Sequence, residues 1–314
     1  MKLVAIEPLG VEKEQLLSIA REVLGDDVEI ICFDDRPSDD AEIIRRGQDA
    51  EVIAVSNLPI SAEVIGGLDK LKLLTVAFTG VDHIALDACR AKGITVCNAA
   101  GYSTAAVADL VFGMLIALYR NILPCDARCR TGGTKDGLIG FELEGKKFGV
   151  VGTGAIGLRV AAIAQAFGCE VFAYSRTVKK VPGVTYTDLD TLLKTCDIVS
   201  LHTPLTTETR GLINAEKLAT MKPTAVLINT ARGPVVDSAA LADALERDVI
   251  AGACLDVFDI EPPLDPSDPL MTAKNTVVAP HIAFATKEAL VKRAVIVFEN
   301  VAAYAKGALQ NVVS

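Results

Sequence analysis

Tryptophan is absent from this chain of 314 residues, and histidine occurs only 3 times. Chemistry that depends on an imidazole therefore has few places to reside. No stretch carries five or six like charges in succession, and the formal net charge is -9. Nucleic acids and anionic membrane surfaces select clustered Lys and Arg, so this balance argues against both and points to a small-molecule partner. Long hydrophobic runs are missing too. The mean hydropathy of +0.38 is high, yet each apolar run is short and broken by Gly, Pro or charge, which argues against a spanning helix. The opening MKLVAIEPLG has too brief an apolar run for a secretory signal, and a cytoplasmic location is expected. The 8 cysteines are scattered through strand-like and helix-like segments, as small buried hydrophobes would be. The closest pair, Cys125 and Cys129, lacks a second Cys/His pair at zinc spacing, so no metal site is expected. No internal repeat, low-complexity tract or Ser/Gly linker interrupts the chain.

What the sequence does contain is alternation. Apolar strand-like runs KLVAI, VEIICF, VIAVS, LKLLTVAF and TVCN are separated by amphipathic stretches at residues 12–23, 40–46, 61–68 and 84–91. A second series, KKFGVVG, VFAY, DIVSL, AVLIN, IAGACLD and NTVVA, alternates with helical runs such as residues 155–167 and 237–247. Strands that are apolar throughout, with helices between them, predict parallel sheets covered on both faces. With 51% hydrophobic residues there is material for two such cores. Between the series lies STAAVADLVFGMLIALY, residues 103–119, apolar on most faces of a helix; it must be covered nearly all round, and a dimer interface is the expected cover. Residues 287–306 predict another long amphipathic helix, and short hinges are expected at 98–101 and 283–286.

GVVGTGAIGLRVA sets Gly152, Gly154 and Gly157 as G-x-G-x-x-G directly after a strand and at the start of a helix. The first glycine permits a tight turn, the second lets backbone approach a pyrophosphate, the third allows close helix packing, and the helix N-terminus attracts the anion. At the tip of the next strand, where a carboxylate would hold the 2′-hydroxyl of NAD(H), stand Tyr174, Ser175, Arg176 and Thr177. A serine beside an arginine suits a 2′-phosphate, so NADP(H) is slightly favoured over NAD(H).

Ligands of doubly wound sheets lie at the carboxyl ends of the strands. In the second series those positions hold His202 and Thr203, Thr230 and Arg232, Asp256 and Glu261, and His281 in VVAPHIAFAT. A nicotinamide delivers only hydride, so carbonyl reduction needs a separate proton donor; His281 and His202 both qualify by position. Arg232 offers a fork for a substrate carboxylate, though alone it reads equally as a salt-bridge residue. Glu261 and Asp256 are both candidates to hold the histidine tautomer, and pattern does not choose between them.

These residues fall in motifs that resemble, nearly end to end, the D-isomer-specific 2-hydroxyacid dehydrogenases. The resemblance rests on TGVDHI from Thr79, the GTGAIG loop, HTPLTTETRGLIN from His202, INTARGPVVD from Ile228, LDVFDIEPP from Leu255 and APHIAFAT from Ala279, in the family's order and approximate spacing. It implies a Rossmann-type NAD(P)-binding domain, residues 100–284, inserted into a flavodoxin-like substrate or lid domain, residues 1–99 plus 285–314. It also implies a catalytic trio: Arg232 on the substrate carboxylate and keto oxygen, Glu261 paired with His281, and His281 as proton donor. Thr79, Gly80 and Val81 would reach the substrate through backbone amides, with Ser56 and Asn57 on a neighbouring loop. Beside the glycine loop (Gly152, Gly154, Ala155, Ile156, Gly157) and Ser175 with Arg176, the coenzyme would meet Thr79, Val107, His202, Thr203 and Pro204. Further along the chain it would meet Thr230, Ala231, Arg232, Asp256, His281 and Ala283. His83 reads as structural as readily as functional.

The activity this implies is NAD(P)H-dependent reduction of a small 2-keto acid to its D-2-hydroxy acid in a homodimer. Hydroxypyruvate or glyoxylate comes first, because NAAGYSTAAVAD looks most like the glycerate dehydrogenase branch. Phosphoglycerate and D-lactate dehydrogenases of the same family are alternatives, the former disfavoured by the lack of a basic cluster in the substrate half and of a C-terminal regulatory module. Lacking tryptophan, the chain departs from members that shape their pocket with one. A dinucleotide-sensing, co-repressor-like binding protein is the alternative of another class, disfavoured by the lack of disordered tails.

Overall fold

The structure is a computed structural model that describes residues Met1–Val313, and the chain divides into two compact units. In chain order the first unit opens with β1 (Lys2–Ala5), α1 (Lys13–Leu24), β2 (Glu29–Cys32), α2 (Asp40–Gly47), β3 (Val52–Val55), α3 (Ala62–Gly67), β4 (Leu73–Val76), α4 (Leu86–Lys92) and β5 (Thr95–Asn98). The second unit, Thr104–Phe284, contains α5 (Thr104–Tyr119), α6 (Ile122–Arg130), β6 (Lys147–Val151), α7 (Ala155–Ala166), β7 (Glu170–Tyr174), β8 (Val184–Tyr186), α8 (Leu189–Thr195), β9 (Ile198–Leu201), α9 (Ala215–Thr220), β10 (Val226–Asn229), α10 (Ser238–Glu246), β11 (Gly252–Leu255) and β12 (Thr276–Val278). Then α11 (Lys287–Ala305) rejoins the first unit, which comprises Met1–Ser103 and the segment from Ala285 onward.

The first unit holds a five-stranded sheet in the order β2-β1-β3-β4-β5, all neighbours parallel, which is the flavodoxin-like order. Strands β3 and β4 are buried at every position, as strands covered on both faces must be. One face carries Val4, Ile6, Ile53, Val64 and Leu74; the other carries Leu3, Ala5, Leu73 and Ala77 under α11. The α11 residues Ala294, Val297, Phe298 and Val301 repeat at helical spacing and are fully buried there, and Thr286 caps the helix by accepting from the Ala289 amide.

The second unit holds a seven-stranded parallel sheet, β12-β11-β10-β9-β6-β7-β8. Counted within the unit this is the Rossmann order 3-2-1-4-5-6 with one strand added, and its direction reverses between β6 and β9. The helix α5 packs on α7, with Phe112 stacked 5.7 Å from Phe148 and 5.3 Å from Phe167. It is less enclosed than its composition suggests, since Ala105, Asp109 and Gly113 form an exposed stripe. The following α6 is a feature the sequence reading missed: it has no buried residue, so no apolar periodicity announces it. Among the described residues no single helix is long and apolar enough to cross a membrane.

Truncating Phe298, which is 0% exposed, leaves a cavity beneath α11. For Phe298→Ala we expect the first unit to lose about 3–5 kcal/mol of stability, read as faster native-state hydrogen exchange of the β1 and β4 amides, with the β6 and β9 amides unaffected.

Candidate active site

Within the second unit the glycine loop lies where the strand order reverses, between β6 and β9. Gly152 sits at φ +99 with its amide donating to the Tyr174 carbonyl at 2.7 Å, and a Cβ there would strike the carbonyl of His202, just after β9. A Cβ on Gly157 would strike the carbonyl of Gly152, so helix and turn touch backbone to backbone. Gly154 is different: a Cβ would meet nothing within 4 Å, leaving open space in front of the first amides of α7. Around this loop the hydroxyls of Thr153, Thr203 and Thr230 are buried without a hydrogen-bond partner. Orphaned buried hydroxyls cost free energy and call for a partner. The open glycine, the helix N-terminus and these hydroxyls fit a dinucleotide with its pyrophosphate at the turn. Ser175 is half-buried and Arg176 exposed at the end of β7, and Lys179 reaches back to donate to the Thr153 carbonyl at 2.7 Å.

The reactive side chains follow three adjacent strands, β10, β11 and β12, whose ends are in register at Asn229, Leu255 and Val278. After β10, Asn229 accepts from the Ala231 amide at 3.1 Å and donates to the Arg232 carbonyl at 2.9 Å, closing the turn that presents Arg232. The guanidinium itself donates to the Ala231 carbonyl at 2.7 Å. Gly233 then lies directly on the backbone of Phe258 and Asp259, with no room for a Cβ. The Phe258 amide in turn donates to Glu261 Oε2 at 3.2 Å, and Glu261 Oε1 is 2.8 Å from Nδ1 of His281. The chain of contact thus runs from the arginine turn to the carboxylate to the imidazole.

His281 has a left-handed backbone, φ 55. Its amide donates to the Asp256 carbonyl at 2.7 Å, and the next two amides, of Ile282 and Ala283, donate to the Asp256 carboxylate at 2.8 and 2.9 Å. That carboxylate is fully buried, and burial pushes its pKa up against the two amides that lower it. The choice left open by the sequence is therefore resolved by geometry: Glu261 holds the ring, and Asp256 holds the loop. Asp256 and Ala283, both expected beside the coenzyme, are buried, and the Ala283 amide donates to the Asp256 carboxylate. With Nδ1 committed to Glu261 and Phe284 edge-on to the ring at 5.7 Å, Nε2 is the ring nitrogen left to meet a ligand.

His202, the second candidate, is bound through Nε2 to Ser200 Oγ at 2.8 Å, and desolvation pushes its pKa down to about 4. It is neutral at physiological pH and cannot supply a proton there. Among the described residues no group of three His, Cys, Asp or Glu side chains could hold a metal ion.

In the first unit the two loops carrying the other expected residues are tied by buried polar groups. Glu7 Oε1 accepts from the amides of Ser56 and Leu58 at 2.8 and 2.9 Å, and His83 Nε2 contacts the Ser56 carbonyl at 3.0 Å. Asn98 Nδ2 donates to the Thr79 carbonyl at 2.7 Å. Glu7 and Asn98 were not singled out by sequence; their only signal is a polar side chain ending an apolar strand run, KLVAIE and TVCN.

Residues 112–283 match the model of the D-isomer specific 2-hydroxyacid dehydrogenase, NAD binding domain. The chain is 42% identical to a glyoxylate reductase of Thermofilum pendens, covering 87% of this chain and 84% of that one. It is 39% identical to a glycerate dehydrogenase of Methylorubrum extorquens, covering 87% and 88%. A solved acyclic imino acid reductase in complex with NADPH and D-Arg superposes with a TM-score of 0.91 at 32% identity over 100% of both chains.

The desolvated His202 makes a pH prediction. Its folded pKa of about 4 lies below the ordinary 6.5, so acidification protonates the unfolded chain first. Its contribution is complete above pH 6.5 and is lost as pH falls toward 4. His202→Asn should show a smaller drop in thermal midpoint across that window than the wild type; an equal drop would mean the imidazole is not desolvated.

Proposed function

Because the chain belongs to the D-isomer specific 2-hydroxyacid dehydrogenase family, and so is an NAD(P)-dependent oxidoreductase, we propose that it reduces hydroxypyruvate or glyoxylate to the D-2-hydroxy acid. The observation that carries this reading is the Glu261–His281 pair, held at 2.8 Å with Nε2 uncommitted, beside the turn that presents Arg232. The names of the relatives, a glyoxylate reductase and a glycerate dehydrogenase, support the substrate class.

The bound nicotinamide coenzyme supplies the hydride. Arg232 binds the substrate carboxylate with its planar fork and polarises the keto oxygen. As negative charge develops on that oxygen, the His281 ring, protonated on both nitrogens, passes its Nε2 proton to it and is left as the Nδ1–H tautomer, whose remaining proton is donated to the Glu261 carboxylate. In the opposite direction the same nitrogen takes the hydroxyl proton. From the first unit, the backbone amides of Thr79, Gly80 and Val81, with Ser56 and Asn57 alongside, hold the substrate carboxylate. None of those three amides donates to another group of the described residues, which leaves them free for an anion.

For the coenzyme, NADP(H) is the preferred form. Support comes from Ser175 and Arg176 in place of an acid after β7, and from Lys179 drawn back onto the Thr153 carbonyl. The working assembly is a homodimer joined through the second unit, supported by α6 with its lack of buried residues and by Ile139 and Phe141, 86% and 64% exposed.

NADPH and NADH oxidation against glyoxylate, hydroxypyruvate, pyruvate and bulkier keto acids tests the reading. We expect His281→Ala to lower kcat about 100- to 10,000-fold while coenzyme affinity is kept, and Arg232→Ala to raise the keto-acid KM as well. Wild-type rates in either variant would remove that residue from the mechanism. Ser175→Asp should shift the preference toward NADH, and an unaltered ratio would mean the 2′ position is read elsewhere. Tight coenzyme binding without turnover of any keto acid would favour a dinucleotide sensor.

A further inference from the structure

Resting on the proposed role of the Thr79–Val81 amides, a second question is what aims them. In a trans peptide the N–H points opposite to the preceding C=O, and among the described residues the only cis bond is Pro262-Pro263. The Phe78 carbonyl accepts from the Ala99 amide at 2.9 Å, and the Thr79 carbonyl accepts from Asn98 Nδ2 at 2.7 Å. Both carbonyls therefore face the segment that ends β5. In an extended strand successive carbonyls alternate sides; here they do not, and the chain bends. The two following amides, of Thr79 and Gly80, are turned to the opposite side together and are spent on no other group of the described residues. Successive N–H groups on one side form an anion-binding concavity.

Asn98 is itself held at two points, and the two residues that hold it are tied to each other. Its amide donates to the Asn311 carbonyl at 3.0 Å, its carbonyl accepts from Asn300 Nδ2 at 2.9 Å, and Asn300 Oδ1 accepts from Asn311 Nδ2 at 2.9 Å. Asn300 is 0% exposed, in the middle of α11. The amide groups line up in one direction, Asn311 to Asn300, Asn300 to the Asn98 carbonyl, and Asn98 to the Thr79 carbonyl. Reversing the Asn300 amide would set two acceptors against each other, so each orientation is fixed by the previous one.

We infer that Asn98, locked by Asn300 and Asn311, is a positioning residue that aims the Thr79 and Gly80 amides at the carboxylate of a 2-keto acid. It does not touch substrate. Its effect is to fix two peptide planes before the anion arrives, so that binding does not have to order them.

The test uses the full-length protein with hydroxypyruvate as substrate and oxamate, a non-reducible 2-keto acid analogue, as binding probe. Asn98→Ala is expected to raise KM and weaken oxamate about tenfold, with a smaller change in kcat and no change in coenzyme affinity. Asn311→Gly, which removes the side chain while suiting the left-handed backbone (φ 54) of this half-buried position, is expected to move the same two quantities about two- to threefold, and carries the test should Asn98→Ala not fold. A purely structural asparagine would lower the thermal midpoint and leave KM and oxamate affinity at wild-type values. That outcome, in an active enzyme, overturns the relay and leaves the proposed reaction standing. A wild type inactive toward every keto acid overturns the proposed reaction, and the relay with it.

Discussion

A carboxylate that meets no water organises the reactive end of the second unit. Asp256 gathers three successive amides, one on its carbonyl and two on its side chain, and that convergence requires the left-handed turn at His281. Such a backbone costs about 1–3 kcal/mol in a residue with a side chain. Two hydrogen bonds to a charged acceptor, each worth about 1.5–3 kcal/mol, offset it. The strain is thus held in place, and the imidazole is carried over to Glu261 without needing a contact of its own with the core. Gly233 completes the arrangement, since its missing Cβ lets the arginine turn rest on the backbone that leads to Glu261.

The two halves of the chemistry are built from different materials. The dinucleotide cradle is made of backbone and hydroxyl groups: glycines that make room, the free amides that open α7, and three threonines with unspent hydrogen-bonding capacity. Such a surface recognises shape and phosphate and commits to no reaction. The Arg232, Glu261 and His281 turns are side-chain devices with costly supports beneath them. An imidazole oriented by a carboxylate, next to a turn that presents an arginine, is the arrangement that a proton transfer uses.

Much of this was legible in the sequence, for identifiable reasons. Fully apolar strands alternating with helices predict parallel sheets because both faces are covered, and both sheets are parallel throughout. The glycine spacing is informative because each glycine answers a separate steric demand. Less legible were choices that depend on direction. Glu261 and Asp256 are both acids after the same strand, and only the turn at residues 258–261 decides which one faces the ring. His202 and His281 each follow a strand, but desolvation of the first is a matter of packing. The helix α6 left no trace because it buries nothing, and Glu7 and Asn98 act through backbone partners far away in sequence, which no local pattern records.

The way the Thr79–Gly80 peptide is gripped also bears on how such a protein diversifies. Its carbonyl is secured from outside the loop, by the Asn98 side chain on β5, and Asn98 is in turn held by Asn300 of α11. The grip is made on a main-chain atom of Thr79, so it does not depend on the side chain which that position carries. A descendant lineage, or a designer, can therefore exchange that side chain while inheriting the bend of the loop unaltered.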